Sequence, residues 1–244
     1  MLKKHIPNFI TCLNICAGSI AVIFAIQGDL PHAVLFIFLG ALFDFFDGMA
    51  ARLLHAYSPI GKELDSLADM ISFGLAPGVI MMTLLEYSIF GLHVKVENLA
   101  ALSLAQQLTL SIALLIPVAS GLRLAKFNID TRQTESFIGL PTPANALFIS
   151  ALALIIENGK YQLIDSVLSQ PLTLIILTIV MSYLLISEVH LFSLKLKTLS
   201  WKTNQIQYIF LILSAALIVF FYQYGIAASI ILYLLISIFF QPKK

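Results

Sequence analysis

The sequence predicts an all-α integral membrane protein, a bundle of about eight transmembrane helices with N- and C-termini in the cytoplasm. Three observations predict it. Hydrophobic residues make up 59% of the 244 and charged residues 11%, with a mean hydropathy of +0.96, against roughly 25% charged in ordinary soluble domains. The apolar residues gather into runs that approach the ~20 residues a helix needs to cross a bilayer. Lysine and arginine fall unevenly on alternate connecting segments. This composition leaves too little polar surface to cover a water-facing core. It excludes soluble nucleic-acid binders, disordered chains and disulfide scaffolds, so no nucleic-acid partner is expected.

The spans follow in order. Ile10–Ile26 comes first; it lacks a small-residue cleavage site and a polar-studded span follows it directly, so it reads as a retained helix and not a signal peptide. Its Cys12 and Cys16 stand one helical turn apart, without the spacing of a redox or metal motif, and are expected to pack. His32–Leu54 and Leu67–Leu85 carry most of the acidic residues of interest. Leu102–Leu124 ends in basic residues. Pro143–Ile156, whose start Pro141 and Pro143 shape, and Leu172–Ile186 are short, so one of them is expected to tilt or lie at the interface. Ile206–Phe221 and Ile226–Phe240 complete the set. Tyr161, Trp201 and Tyr222 near span ends suit the membrane–water boundary. Outer linkers are expected at Gly28–Pro31, Glu86–Glu97, Glu157–Gln170 and Tyr222–Gly225, inner loops at His55–Ser66, Ala125–Thr142 and Glu188–Asn204. No internal repeat or low-complexity tract divides the chain, so residues 1–244 are expected to form a single transmembrane domain.

Orientation follows from the positive charges. With both termini inside, 12 of the 14 lysines and arginines lie on the cytoplasmic side and only Lys95 and Lys160 lie outside. Removing Arg52, Lys62, Arg123, Lys126 and Arg132, whose placement chemistry could dictate, still leaves seven against two. The expected location is the cell membrane, multi-pass.

Of the 13 acidic residues, Asp44, Asp47, Glu63, Asp65 and Asp69 fall within 26 positions at the inner ends of the second and third spans. A carboxylate inside a span costs at least about 2.5 kcal/mol on insertion scales, which makes such residues functional suspects. Their spacing is specific. Asp44, Gly48 and Arg52 are steps of four, with Asp47 and Ala51 beside them on one helical face. Gly61, Asp65 and Asp69 form a second stripe of steps of four. Two such stripes facing each other present four carboxylates to one pocket, and Gly48, Ala51 and Gly61 remove side-chain bulk there. Four carboxylates together require cations. Oxygen-only donors select hard ions, Mg²⁺ or Mn²⁺, and four negative charges match two divalent cations. A two-metal site suits in-line displacement at phosphorus, and Arg52 offers a fork for a phosphate.

The run Asp44-x-x-Asp47-Gly48-x-x-Ala51-Arg52, eight residues, Gly61-x-x-x-Asp65-x-x-x-Asp69 resembles the signature of the CDP-alcohol phosphatidyltransferase family at every position. The resemblance implies a membrane enzyme that binds CDP-diacylglycerol and two divalent metals, in which an alcohol attacks the lipid-bearing phosphorus and CMP leaves. It implies Asp44, Asp47, Asp65 and Asp69 as metal ligands, with Asp69 also the general base. Gly48 and Arg52 resemble the nucleotide and diphosphate contacts, with Ala51 and Gly61 lining the same CDP-lipid pocket. Ser58 stands where relatives often carry a hydroxyl near the nucleotide, and Pro7-Asn8-x-x-Thr11 resembles part of that pocket.

Two further segments are similar to the phosphatidylserine synthase branch. One is Ile6-Pro7-Asn8 through Thr11, Asn14 and Gly18. The other is Arg123 to Asn128 followed by Phe137-x-Gly139-Leu140-Pro141-x-Pro143-x-Asn145-Ala146. This branch implies serine as acceptor, and the family implies a homodimer among membrane lipids; the aspartates at the inner helix ends are expected to open the site to the cytoplasm. Serine is a zwitterion, so its pocket needs a cation and an acceptor; Arg123, Lys126 and Arg132 are the candidate cations and Asn128 or Asp130 the candidate ammonium partners. Three alternatives stay open: a transferase of the same family acting on glycerol 3-phosphate or inositol phosphate, an intramembrane prenyltransferase, or a divalent-cation transporter. The Gly-x-x-Ala-Arg half of the run argues against the second. The position of the carboxylates at one helix end, with an arginine among them, argues against the last.

Overall fold

The computed structural model describes residues 5–130, 136–192, 201 and 204–239. They form α1 (His5–Gln27), α2 (Leu30–Leu53), α3 (Pro59–Asp69), α4 (Ala76–Phe90), α5 (Leu104–Ser111), α6 (Leu115–Ile129), α7 (Thr142–Asn158), α8 (Gln162–Leu168), α9 (Pro171–Ile186), α10 (Gln205–Phe221) and α11 (Gln223–Phe239). The expected all-α class holds. One addition to it is a two-stranded antiparallel pair, β1 (Ser136–Ile138) with β2 (His190–Phe192), in register Phe137 opposite Leu191. It ties the α6–α7 connection to the end of α9.

The helix starts follow from local chemistry. Asp29 accepts the His32 backbone N–H at the head of α2, and Pro31 sits in its first turn, a position where its missing N–H costs nothing. Ser58 accepts the Gly61 N–H at 3.0 Å ahead of Pro59 and opens α3. The expected inner loop His55–Ser66 is therefore shorter, because the Ser-Pro cap starts the helix eight residues before the apolar run does. Ser103 and Gln106 cap α5 reciprocally.

Among the described residues, four helical stretches are long and apolar enough to cross a membrane. They are His5–Gln27, Leu30–Leu53, Pro59–Phe90 and Leu104–Ile129; a fifth is the α8–α9 pair if its 70° bend is one broken span. Thr142–Asn158, Gln205–Phe221 and Gln223–Phe239 are apolar but shorter, each about 25 Å long at 1.5 Å per residue. Apolar side chains such as Leu172, Ile176, Val180, Ile212, Val219 and Phe220 point outward, as lipid contact requires. Cys12 and Cys16 are also exposed, where packing was expected.

The third span is the unusual one. α3 passes through a π-helical turn, Met70–Leu75, into α4 as one 32-residue helix. At about 48 Å it exceeds the ~30 Å hydrocarbon core, so it carries its own polar end beyond the apolar slab. Ser72 in the π turn is fully buried and donates to Asn14 Oδ1 at 2.7 Å. Gly18 and Gly40 make room for it: a Cβ on Gly18 would overlap the Ser72 hydroxyl, and one on Gly40 would sit 3.3 Å from it. Around this knot Phe73, Ile37, Ile80, Leu84, Ile116 and Ile149 are wholly buried.

At the opposite end of the same helix, buried Glu86 pairs with Lys95 at 2.6 Å. Lys95 also donates to Thr83 at 3.1 Å, and Tyr87 donates to the Gly28 carbonyl at 2.8 Å. The expected linker Glu86–Glu97 therefore begins inside the bundle and is pinned to it.

Candidate active site

Three carboxylates converge on one point. One oxygen each from Asp44, Asp47 and Asp65 lies within 4.8 Å of the others. The first two come from the last turns of α2, the third from α3, and the five-residue connection between those helices sets them face to face. Asp69, one turn beyond Asp65, approaches Asp44 closely enough for a side-chain hydrogen bond. Buried oxygens of Asp47 and Asp69 have no hydrogen-bond partner. Unpartnered carboxylate oxygens facing one another are unstable without a cation, and a compact all-oxygen set fits a hard divalent ion.

α1 closes one flank. Thr11 is buried, donates to the Pro7 carbonyl at 3.0 Å and lies against Asp47. Asn8 and Ser58 meet beside Gly61, where an added Cβ would be 3.0 Å from both Asn8 Oδ1 and Ser58 Oγ. Gly61 is therefore where three elements touch. Gly48 is different: a Cβ there would meet nothing within 4 Å, so it borders open space beside the carboxylates. Ala51 is half-buried on the same face, and Arg52, exposed, folds back to the Gly48 carbonyl at 3.1 Å. All seven expected nucleotide-side positions, Asn8, Thr11, Gly48, Ala51, Arg52, Ser58 and Gly61, stand on or beside the aspartate-bearing faces.

The four expected acceptor-side positions separate. Arg123, on α6, is buried, has an unpartnered Nε and stands within electrostatic reach of Asp69. Its guanidinium carbon lies 5.7 Å from the Phe127 ring centroid. Lys126 is exposed at the helix end. Asn128 donates to Ser66 Oγ at 2.9 Å while its carbonyl accepts from Lys62 at 3.0 Å; it joins α6 to α3. Arg132 lies outside the described residues.

Some site neighbours escaped sequence reasoning. The π turn directly after Asp69 has no marker in hydrophobic periodicity. Asn14 and Gly18 belonged to a resemblance but carried no physical role until Ser72 was seen between them. Tyr233, buried on α11, reaches the Arg123 neighbourhood and donates to the Phe192 carbonyl at 3.0 Å; nothing in the spacing of α11 signals this.

Comparison with known proteins supports the same assignment. The model of the CDP-alcohol phosphatidyltransferase family matches residues 4–184. A CDP-diacylglycerol–serine O-phosphatidyltransferase of Bacillus subtilis is 37% identical over 76% of this chain and 89% of its own. The protein of that name from Methanocaldococcus jannaschii is 33% identical over 75% of this chain and 72% of its own. The one from Mycobacterium leprae is 37% identical over 63% of this chain, with which it shares 48% of its own length. With the aspartate cluster in place and a family match over most of its length, the chain belongs to the CDP-alcohol phosphatidyltransferase family.

Proposed function

We propose that this protein transfers the phosphatidyl group of CDP-diacylglycerol to the hydroxyl of L-serine, giving phosphatidylserine and CMP. The observation that carries the chemistry is the convergence of Asp44, Asp47 and Asp65 with Asp69 beside them. The serine assignment is supported by relatives named CDP-diacylglycerol–serine O-phosphatidyltransferase that are similar over three quarters of this chain.

Asp44, Asp47, Asp65 and Asp69 would hold two divalent cations, Mg²⁺ or Mn²⁺. Bound there, such ions supply charge neutralisation for the diphosphate and for the phosphorus under attack. The chain's own residues do the rest. The open space at Gly48 admits the diphosphate, with Arg52 at its rim, and the Asn8–Thr11–Ser58–Gly61 corner receives the nucleotide. Asp69 removes the proton from the serine hydroxyl as that oxygen bonds to the lipid-bearing phosphorus; the phosphorus–oxygen bond to CMP breaks, and CMP departs with the electron pair. Arg123, buried and within electrostatic reach of Asp69, draws the serine carboxylate toward this base. An open apolar groove of about 420 Å³ between α1 and α2, lined by Ile10, Leu13, Phe43, Phe46, Met49, Ala50, Leu53 and Leu54, accommodates a lipid chain at the same end of the bundle.

The topology belongs to this reading. Eight passes result if α7, the bent α8–α9 pair, α10 and α11 each cross, which returns the C-terminus to the side of the N-terminus and unites the chain in a single domain. The excess of lysine and arginine on the aspartate side supports a site that faces the cytoplasm from the cell membrane, and the family resemblance supports a homodimer.

The test is CMP release from CDP-diacylglycerol by purified enzyme in detergent with Mn²⁺ or Mg²⁺, offering serine, glycerol 3-phosphate, inositol and inositol phosphate separately. Release with serine alone is expected. Release only with a phosphorylated acceptor would retain the aspartates and discard the head-group assignment.

A further inference from the structure

Asn145 is wholly buried, yet neither its Nδ2 nor its Oδ1 has a hydrogen-bond partner. An amide sealed from water with both ends unsatisfied is a costly thing to keep. Its surroundings show how the sequence puts it there. Gly139 adopts φ +76°, and a Cβ at that position would strike the Leu185 and Ser187 carbonyls. The Gly139 N–H donates to the Val189 carbonyl and the Leu140 N–H to the Leu184 carbonyl, both at 2.9 Å. The segment preceding α7 is thus laced to the end of α9, and the first turn of α7 enters the bundle from a fixed direction. That is the structural content of the Gly139-Leu140-Pro141-x-Pro143-x-Asn145 stretch.

The direction matters. α6 ends on the aspartate side, where Asn128 bonds α3, and the connection from α6 leads to the start of α7 on that same side. α6 and α7 both pack on the π turn that follows Asp69. On α6, Ser120 faces Gly74 of the π turn, with an added Cβ there only 3.0 Å from Ser120 Cβ. Arg123 is three residues on, on the same face. Ser120 Oγ and Arg123 Nε are also unpartnered, as is Thr142 Oγ1 in the turn that carries Asn145. Ser120, Arg123, Thr142 and Asn145 thus leave donors and acceptors open on two helices that both pack against the turn following Asp69.

We propose that Asn145 is a specificity-determining residue of the acceptor subsite, reading the α-amino-acid head of a hydroxyl-bearing substrate. This rests on the serine reading above. Its Nδ2 donates to the carboxylate alongside Arg123, and its Oδ1 accepts from the ammonium. An amide fits because it presents one donor and one acceptor side by side, as the two charged groups on one carbon require. A glycerol phosphate or inositol phosphate head offers no ammonium to satisfy Oδ1.

Asn145→Leu keeps the branched outline of four heavy atoms, at slightly greater bulk, and removes both polar atoms. The expected result is a rise in KM for serine of about 10- to 100-fold, as for a lost hydrogen bond to a charged group. KM for CDP-diacylglycerol should stay unchanged, and the melting temperature in detergent unchanged or higher, because an unsatisfied buried amide is gone. Asn145→Asp, isosteric but anionic beside the bound carboxylate, should raise serine KM as well and serves if the leucine variant does not fold. Serine KM within twofold of wild type in both variants would overturn the inference while wild-type activity with serine left the parent reading standing. Equal loss toward both substrates with a lowered melting temperature would also overturn it, marking Asn145 as purely structural. Wild-type enzyme inert toward serine would instead remove the parent reading, and this one with it.

Discussion

Asp69 and Asp44 share a pocket but are expected to fail differently. Asp69→Asn removes a proton acceptor and leaves a side chain of the same shape, so turnover should fall by about 10²- to 10⁴-fold, the range ascribed to a general base. CDP-lipid binding should survive better than in Asp44→Asn, which removes one of the three carboxylates gathered within 4.8 Å. Equal turnover in wild type and Asp69→Asn would sink the base assignment. At this scale the sequence was most legible. Steps of three and four put the aspartates on shared faces whatever the exact helix ends, and the structure brings them together. The acceptor side was legible only in part. Arg123, Lys126 and Asn128 look alike as polar residues near a helix end, and only burial separates Arg123 from its exposed or otherwise bonded neighbours.

Among the elements, the continuous helix from Pro59 to Phe90 carries two opposite kinds of polar knot. In its middle, Ser72 fills the space left by Gly18 and Gly40. Gly18→Ala forces the π turn away from α1 and should cost about 1–3 kcal/mol, as overpacking does; because that turn follows Asp69, turnover per folded molecule should fall too. Thermal unfolding and specific activity measured together check this. At its far end, the Glu86–Lys95 pair is remote from the aspartates. Lys95→Met strands a buried carboxylate and should destabilise by about 3 kcal/mol, the low end for a broken buried pair because Lys95 keeps some solvent. The double change Glu86→Leu with Lys95→Met should restore most of that loss, and specific activity should hardly move in either. Apolar periodicity located these helices well. It missed α3's early start, because the polar Pro59–Asp69 segment is helical through its Ser-Pro cap and tertiary packing, and it could not register a π turn, which changes spacing and not composition.

For the molecule as a whole, the gathered carboxylates should make stability depend on divalent cations. A ligand that binds only the folded state at 100 times its dissociation constant stabilises by about 2.7 kcal/mol, or roughly 5–10 °C in melting temperature for a chain of this size. Mn²⁺ or Mg²⁺ should produce such a shift in detergent, EDTA should reverse it, and Asp44→Asn should abolish most of it. A shift that persists undiminished in Asp44→Asn would locate the stabilising ion elsewhere. The distribution of positive charge predicts a second whole-molecule property. Reporter fusions at either terminus should be active in their cytoplasmic form only. Such fusions should keep the C-terminal hairpin, since α11 lies beyond the family-matched residues 4–184 and still delivers Tyr233 to the vicinity of Arg123.

The π turn at Met70–Leu75 has a consequence for how this protein can vary. Its hydrogen bonds reach back five residues where an α-helix reaches four, so the turn holds a surplus residue within an otherwise regular rod. The surplus is absorbed locally, so the two ends of the rod keep nearly the phase they would have in a regular α-helix one residue shorter. Deleting one residue within Met70–Leu75 should therefore relax the turn to α-helix and leave Asp65 and Asp69 still facing Asp44 and Asp47, with the Mn²⁺-dependent shift in melting temperature retained. Deleting one residue within the regular stretch Ala76–Phe90 should instead turn the rod's two ends by about 100° against each other and unfold the protein. The turn is the place along this rod where chain length can change without changing what faces what.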